Sequence, residues 1–222
     1  RVSADWLVKL PKGISHRHAM AIGTAGYTAM LCVQGLEDNG VSTNEGEILV
    51  TGATGGVGSV AIMILSKLGY KVVAVTGRAE HSEYLKSLGA EEIISREELD
   101  RDAKPMEKER WAGVVDCVGG KTLATAIAQT KYNGTVCACG LAGGFELNST
   151  VMPFILRGVK LIGIDSVMAP ISKREKAWKR LATDLDLNLL EKSITDIKFS
   201  EVPSACADLL EGRSKGRLVV KI

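Results

Sequence analysis

Apolar residues in this chain fall into short unbroken runs separated by glycine-rich or charged connectors, and spacing within the runs switches between a strand period and a helix period. Ile48-Leu49-Val50-Thr51 reads as a strand buried on both faces, residues 52–58 as a tight glycine-rich turn, and residues 59–68 as the helix that follows. After Gly69 a second strand is predicted over 71–75. The same plan repeats: helix 81–88, strand 92–95, a charged stretch over 96–110, strand 113–118, helix 121–130, strand 135–139, loop 140–150, short helix 153–157 and strand 160–164. Upstream, an extended segment over 1–11 is closed by Pro11-Lys12-Gly13. Ser15 then caps a helix over 16–22, and after Gly23-Thr24-Ala25-Gly26 a longer helix over 27–37 stops at Asn39-Gly40. The last stretch changes character, with a basic amphipathic helix over 172–190, a strand over 196–199, a helix over 203–210 and a terminal strand over 217–222. This alternation predicts an α/β fold with a doubly wound parallel sheet.

The turn Gly52-Ala53-Thr54-Gly55-Gly56-Val57-Gly58 joins the first strand to its helix, where glycine lets backbone N–H groups approach a pyrophosphate. An anion there meets unpaired N–H donors and the positive end of the helix dipole. The strict G-x-G-x-x-G spelling is absent because Ala53 takes the first glycine position, although Gly56-Val57-Gly58-Ser59-Val60-Ala61 fits the looser G-x-G-x-x-A frame. The strand–turn–helix–strand context favours dinucleotide binding over a turn whose glycines serve packing alone. Nucleotide choice is read at the end of the second strand, where an acidic residue would bind the ribose of NAD. Here Thr76-Gly77-Arg78 carries no carboxylate, so NADP(H) is expected, with Arg78 and Thr76 holding the 2′-phosphate and Arg96 as a second contact. The strand ends at 116–119, 139–141 and 165–166 are the other segments placed to line the ligand.

Composition narrows the picture. In 222 residues with 45% hydrophobic content there is ample core for one large domain, or for one domain and part of a second. Twenty-eight basic against 26 acidic residues, net +2, create no field that argues for nucleic acid or membrane. No apolar run reads as long enough to span a bilayer. Five cysteines form no C-x-x-C pair, so neither a disulfide framework nor a zinc site is expected, and a reducing cytoplasm is the natural setting. Cys137-x-Cys139 places both thiols on one strand face, as buried structural cysteines. His16 and His18 read as helix-start or surface groups rather than ligands.

Several longer motifs together resemble one family: Gly23-Thr24-Ala25-Gly26-Tyr27-Thr28-Ala29-Met30, the glycine turn with Thr51, Tyr84-Leu85-Lys86-Ser87-Leu88-Gly89-Ala90, Cys139-Gly140-Leu141-Ala142-Gly143-Gly144 and Met152-Pro153-Phe154-Ile155-Leu156-Arg157. These resemble the medium-chain dehydrogenases/reductases, in the zinc-independent quinone oxidoreductase branch and most closely its NADPH-dependent acryloyl-coenzyme A reductases. The resemblance implies a Rossmann domain over 23–195, with residues 1–22 ending a GroES-like catalytic domain and residues 196–222 returning to it. Most of that catalytic domain would lie outside the chain. It also implies that Thr54, Gly55, Gly56 and Val57 contact the pyrophosphate. Thr76, Gly77, Arg78 and Arg96 would lie on the 2′-phosphate side, and Leu141, Ile155, Ser166 and Arg217 at the nicotinamide half.

The expected activity is NADPH-dependent reduction of the acryloyl-coenzyme A double bond to propionyl-coenzyme A, by hydride transfer to the β-carbon. Reduction of quinones or other activated alkenes is the alternative within the fold, and a non-catalytic NADPH-binding module is the alternative of another class. No catalytic residue and no metal ligand are assigned. The expected partner is a small-molecule substrate, and the resemblance makes a homodimer possible through the sheet edge near 160–164.

Overall fold

A computed structural model describes residues 1–222. Six strands, β1 (Glu47–Val50), β2 (Lys71–Thr76), β3 (Glu92–Ser95), β4 (Trp111–Asp116), β5 (Thr130–Ala138) and β6 (Lys160–Gly163), form one sheet. Their order is β3-β2-β1-β4-β5-β6 and every pairing is parallel. The chain therefore runs outward from β1 in one direction, returns to its other side, and runs outward again from β4. A crevice opens at that reversal, beyond the carboxyl ends of β1 and β4.

Alternation within the strands explains the two layers. In β1, Ile48 and Val50 enter the larger apolar cluster while Leu49 enters the smaller one on the opposite face. In β2, Val72 and Ala74 go one way and Val73 and Val75 the other. The larger cluster takes in α1 (His16–Asp38), α2 (Gly56–Lys67), α3 (Ser82–Ser87), α6 (Ile171–Asp184) and α7 (Leu187–Lys192). On the other face α4 (Gly120–Ala128) seats Leu123, Ala126 and Ile127, and Phe154 of α5 (Met152–Arg157) packs beside them. A pair of parallel strands, β7 (Ile194–Lys198) and β8 (Arg217–Lys221), forms a separate sheet and is bridged by α8 (Val202–Leu210).

Three boundaries depart from the sequence expectation. The break predicted over 23–26 shrinks to Gly23 alone, whose φ of 49° and ψ of −154° kink α1 before the helix resumes. Fused in this way, α1 becomes long and apolar enough to cross a membrane by length and composition, contrary to the expectation that no run would be. Yet 67% of its most apolar stretch is buried within the domain, which makes it the central helix of that layer. The basic helix expected over 172–190 divides into α6 and α7 because the Asp186 carboxylate caps α7, accepting from the N–H groups of Asn188 and Leu189. Strand β5 starts at Thr130 rather than 135, where its register against β4 shifts.

Candidate cofactor-binding cleft

Beyond β1 the chain enters the turn that starts α2, with Gly55 as N-cap and no side-chain cap bond, so the first N–H groups of α2 are left for a ligand. Close packing dictates glycine at its far side. A Cβ on Gly58 would come 2.5 Å from the Gly52 carbonyl oxygen and 2.7 Å from Ala53 Cα, both backbone atoms. The helix thus sits directly on the strand end.

The Arg217 side chain lies over this turn. Its Nε donates to the Ala21 carbonyl at 2.5 Å, and its Nη1 is 2.5 Å from where a Cβ on Gly56 would stand. The guanidinium is half-buried, pairs with no carboxylate, and burial alone pulls its pKa down. A cation without a counter-ion at the positive end of a helix is unfavourable unless an anion joins them.

At the neighbouring strand ends a cleft of about 190 Å³ is lined by Thr51, Gly52, Thr54, Thr76, Gly77 and Arg96, with Gly119, Lys121 and Gly143 opposite. The Arg96 guanidinium lies flat against Gly77, since a Cβ there would meet its Cζ at 2.8 Å. It is exposed and forms no ion pair. Arg78 is placed differently. Its guanidinium donates to Thr54 Oγ1 at 2.8 Å, to the Gly212 carbonyl at 2.7 Å and to the Ser214 carbonyl at 3.1 Å. Arg78 therefore ties the 212–214 loop to the glycine turn, with fewer donors left for a phosphate than a free fork has. The Thr76 hydroxyl accepts from the Arg78 backbone N–H at 3.1 Å and fixes that corner.

The crevice floor is a cross-link that sequence reasoning did not identify. Thr51 Oγ1 donates to Asp116 Oδ1 at 2.7 Å and accepts from the Cys117 N–H at 3.0 Å, while Asp116 Oδ2 accepts from the Gly119 N–H at 2.8 Å. Burial pushes the Asp116 carboxyl up, and these bonds oppose the rise. The loop after β5 folds back here, with Gly143 N–H donating to the Val118 carbonyl at 2.7 Å.

The structure therefore brings together Thr54, Gly55, Gly56, Val57, Thr76, Gly77, Arg78, Arg96 and Arg217 at one rim. Leu141, 66% exposed, lies in the adjoining loop. Ile155, exposed on α5, and Ser166, just after β6, do not line the cleft. Asp100 and Lys121 do line it and were not anticipated. Lys121 was findable, because Gly119-Gly120-Lys121 follows β4 as the glycine turn follows β1; Asp100 sits in an irregular charged stretch with no such cue.

The histidines stay outside: Ser15 caps α1 by accepting from the His18 N–H, and His18 Nε2 is 2.7 Å from Glu191 Oε1. All five cysteines are free thiols. No group of three or more His, Cys, Asp or Glu side chains is arranged to hold a metal ion, so these residues do not fit a zinc site. They do fit a dinucleotide, through the close-packed glycine turn and the uncompensated Arg217.

Comparison with known proteins agrees with this geometry. Residues 56–183 match the zinc-binding dehydrogenase family. The chain is 54% identical over 222 residues to acrylyl-CoA reductase AcuI of Ruegeria pomeroyi, covering 100% of the chain and 67% of that protein. Among solved structures it is similar to the yhdH oxidoreductase of Salmonella enterica in complex with NADP, at 53% identity and a TM-score of 0.98, covering 100% of this chain and 68% of that one. It is also similar to the Bacillus subtilis protein yhfP with NAD bound, at 48% identity and a TM-score of 0.96, with the same coverage. With a parallel sheet reversing at β1, a glycine turn on its first helix and likenesses of this extent, the chain belongs to the medium-chain dehydrogenase/reductase superfamily and its zinc-binding dehydrogenase domain family.

Proposed function

We propose that the chain is the cofactor-binding part of an NADPH-dependent acryloyl-coenzyme A reductase. The observation that carries the cofactor half is Arg217, a half-buried guanidinium without a carboxylate partner over Gly56 at the N-terminus of α2. A pyrophosphate there supplies the missing charge and accepts from the free N–H groups of residues 56 and 57. Arg96, held flat on Gly77, is the group best placed for a 2′-phosphate, and Arg78 positions Thr54 beneath it. The substrate half rests on the likeness to the Ruegeria reductase.

When bound, NADPH supplies a hydride to the β-carbon of the unsaturated thioester, and a proton added at the α-carbon completes propionyl-coenzyme A. The chain's own part is to orient the dinucleotide along the strand ends, with Leu141, Ile155 and Ser166 toward the nicotinamide half. Residues 23–195 form the Rossmann unit in this reading, and residues 1–22 and 196–222 belong to the substrate lobe, in keeping with the separate β7–β8 sheet. The reaction needs no zinc, a cytoplasmic setting suits the five free thiols, and the open edge at β6 is where a second copy would pair. The test is turnover by the full-length protein with NADPH, offering acryloyl-coenzyme A and, separately, a soluble quinone. Faster oxidation of NADPH with the thioester supports the reading, and preference for the quinone overturns it.

A further inference from the structure

Two thiols beside the cleft have no part in the function proposed above. Cys117 and Cys139 follow the last paired residues of β4 and β5, Asp116 and Ala138, and their sulfur atoms are 3.7 Å apart. Neither lines the cleft. Both are half-buried, whereas Cys32 and Cys137 are fully buried and the Cys137 thiol donates to the Cys32 carbonyl at 3.4 Å. Adjacent strands lie about 4.8 Å apart, inside the roughly 4.4 to 6.8 Å between Cα atoms that a disulfide spans.

Closing the sulfur separation to the ~2 Å of a disulfide bond needs small side-chain rotations. It comes just past Asp116 and Ala138, the last paired residues of the two strands. The Cys117 thiol 3.7 Å away favours Cys139 as the member of this cluster that ionises first, while Cys139 and burial hold the Cys117 thiol up; in its thiol form Cys139 donates to the Asp116 carbonyl at 3.2 Å.

We propose that Cys117 and Cys139 form a reversible intramolecular disulfide on exposure to hydrogen peroxide. The Cys139 thiolate attacks one peroxide oxygen and the O–O bond breaks. Cys139 becomes a sulfenic acid, and the departing hydroxide takes the proton of the Cys117 thiol to leave as water. The Cys117 thiolate then attacks the Cys139 sulfur, the S–S bond forms, the S–O bond breaks, and the second oxygen leaves as hydroxide, protonated by solvent. Each sulfur gives up one electron, and the two peroxide oxygens are reduced to two waters. Cys206, exposed on α8, is the internal control, because it reports ordinary thiol oxidation without a neighbouring thiol to close a bridge.

The test is peptide mapping of the full-length protein, reduced, freed of cofactor, exposed to hydrogen peroxide, alkylated and cleaved with trypsin. The expected product joins residues 111–121 to residues 132–157, is two hydrogens lighter than the separate peptides, and is released by dithiothreitol. Fragmentation must assign the link to Cys139 rather than Cys137, which shares that peptide. In Cys117→Ser the linked peptide disappears and Cys139 carries oxygen adducts instead. Should that variant fail to fold, mapping of the wild type and of Cys206→Ser decides alone. Alkylation of both Cys117 and Cys139 at a peroxide dose that oxidises Cys206 overturns the proposal. So does a bridge to Cys137, or one that joins two chains through Cys206.

Discussion

Replacing Arg96 by alanine isolates the 2′-phosphate contribution, because this side chain does no structural work that would confound the reading. It is exposed, has no ion-pair partner, and rests on the backbone of Gly77 at the end of β2. A charge-assisted hydrogen bond is worth about 1.5 to 3 kcal/mol, which converts to roughly 10- to 150-fold in affinity. Solvent access and the nearby Asp100 carboxylate pull toward the lower figure. The expectation for Arg96→Ala is therefore a rise in the NADPH dissociation constant of about 10- to 50-fold with NADH changed less than about twofold. Nicotinamide fluorescence titration of the full-length protein measures both. The gap between the cofactors should narrow as salt is raised, since an exposed pair is screened. Arg78→Ala is the informative contrast. It removes three hydrogen bonds that hold the 212–214 loop against Thr54, and is expected to weaken both cofactors together. Equal losses of NADPH and NADH in Arg96→Ala, or an unchanged NADPH affinity, would refute the assignment of the phosphate to Arg96.

Three further outcomes follow from the same geometry. Gly58→Ala drives a methyl group into the Gly52 carbonyl and Ala53 Cα, so it should lower stability by about 1 to 3 kcal/mol and abolish binding of both cofactors, as thermal melting and titration would record. Arg217→Met keeps the bulk but removes the charge over Gly56. Both NADPH and NADH should weaken by about tenfold or more, and a loss confined to NADPH would contradict a pyrophosphate role. Glu107 accepts from Arg101 at 2.5 and 2.7 Å, from Gln129 Nε2 at 2.9 Å and from the Lys104 N–H, and Arg101 leads in holding its carboxyl at about 2, below the ordinary 4.5. A depressed carboxyl adds stability that is full above the ordinary value and is lost as pH falls toward 2. Between about pH 6 and about pH 3 the wild type should thus lose more stability in urea unfolding than Glu107→Gln, by an amount on the order of 2 kcal/mol, and parallel losses would exclude this cause.

How far this was legible in the sequence depends on the range of the interaction involved. The strands and their order of appearance follow from local apolar runs, and the alternation of strand and helix is enough to require a parallel sheet covered on both faces. The glycine turn was readable for the same reason, since Gly55, Gly56 and Gly58 act on atoms within a few residues of themselves. Boundaries were lost where one residue decides them: the Asp186 carboxylate splits the basic helix by capping α7, and the backbone of Gly23 alone kinks α1, neither of which an apolar pattern registers.

The arginines show the same limit at the site. The residues after β2 pointed to a cationic phosphate corner, but whether Arg78 or Arg96 is free to serve it depends on the loop at 212–214, more than 130 positions downstream of Arg78. Arg217 is a stronger case. Only the family resemblance pointed to it, and to the nicotinamide half, whereas its guanidinium lies over Gly56, a reach that exists because β8 pairs with β7 beneath the start of α1, where Ala21 offers its carbonyl. In the proposed reading, β8 thus completes the pyrophosphate seat that the turn after β1 begins. A variant that loosened β8 should accordingly release the pyrophosphate while leaving the six-stranded sheet intact.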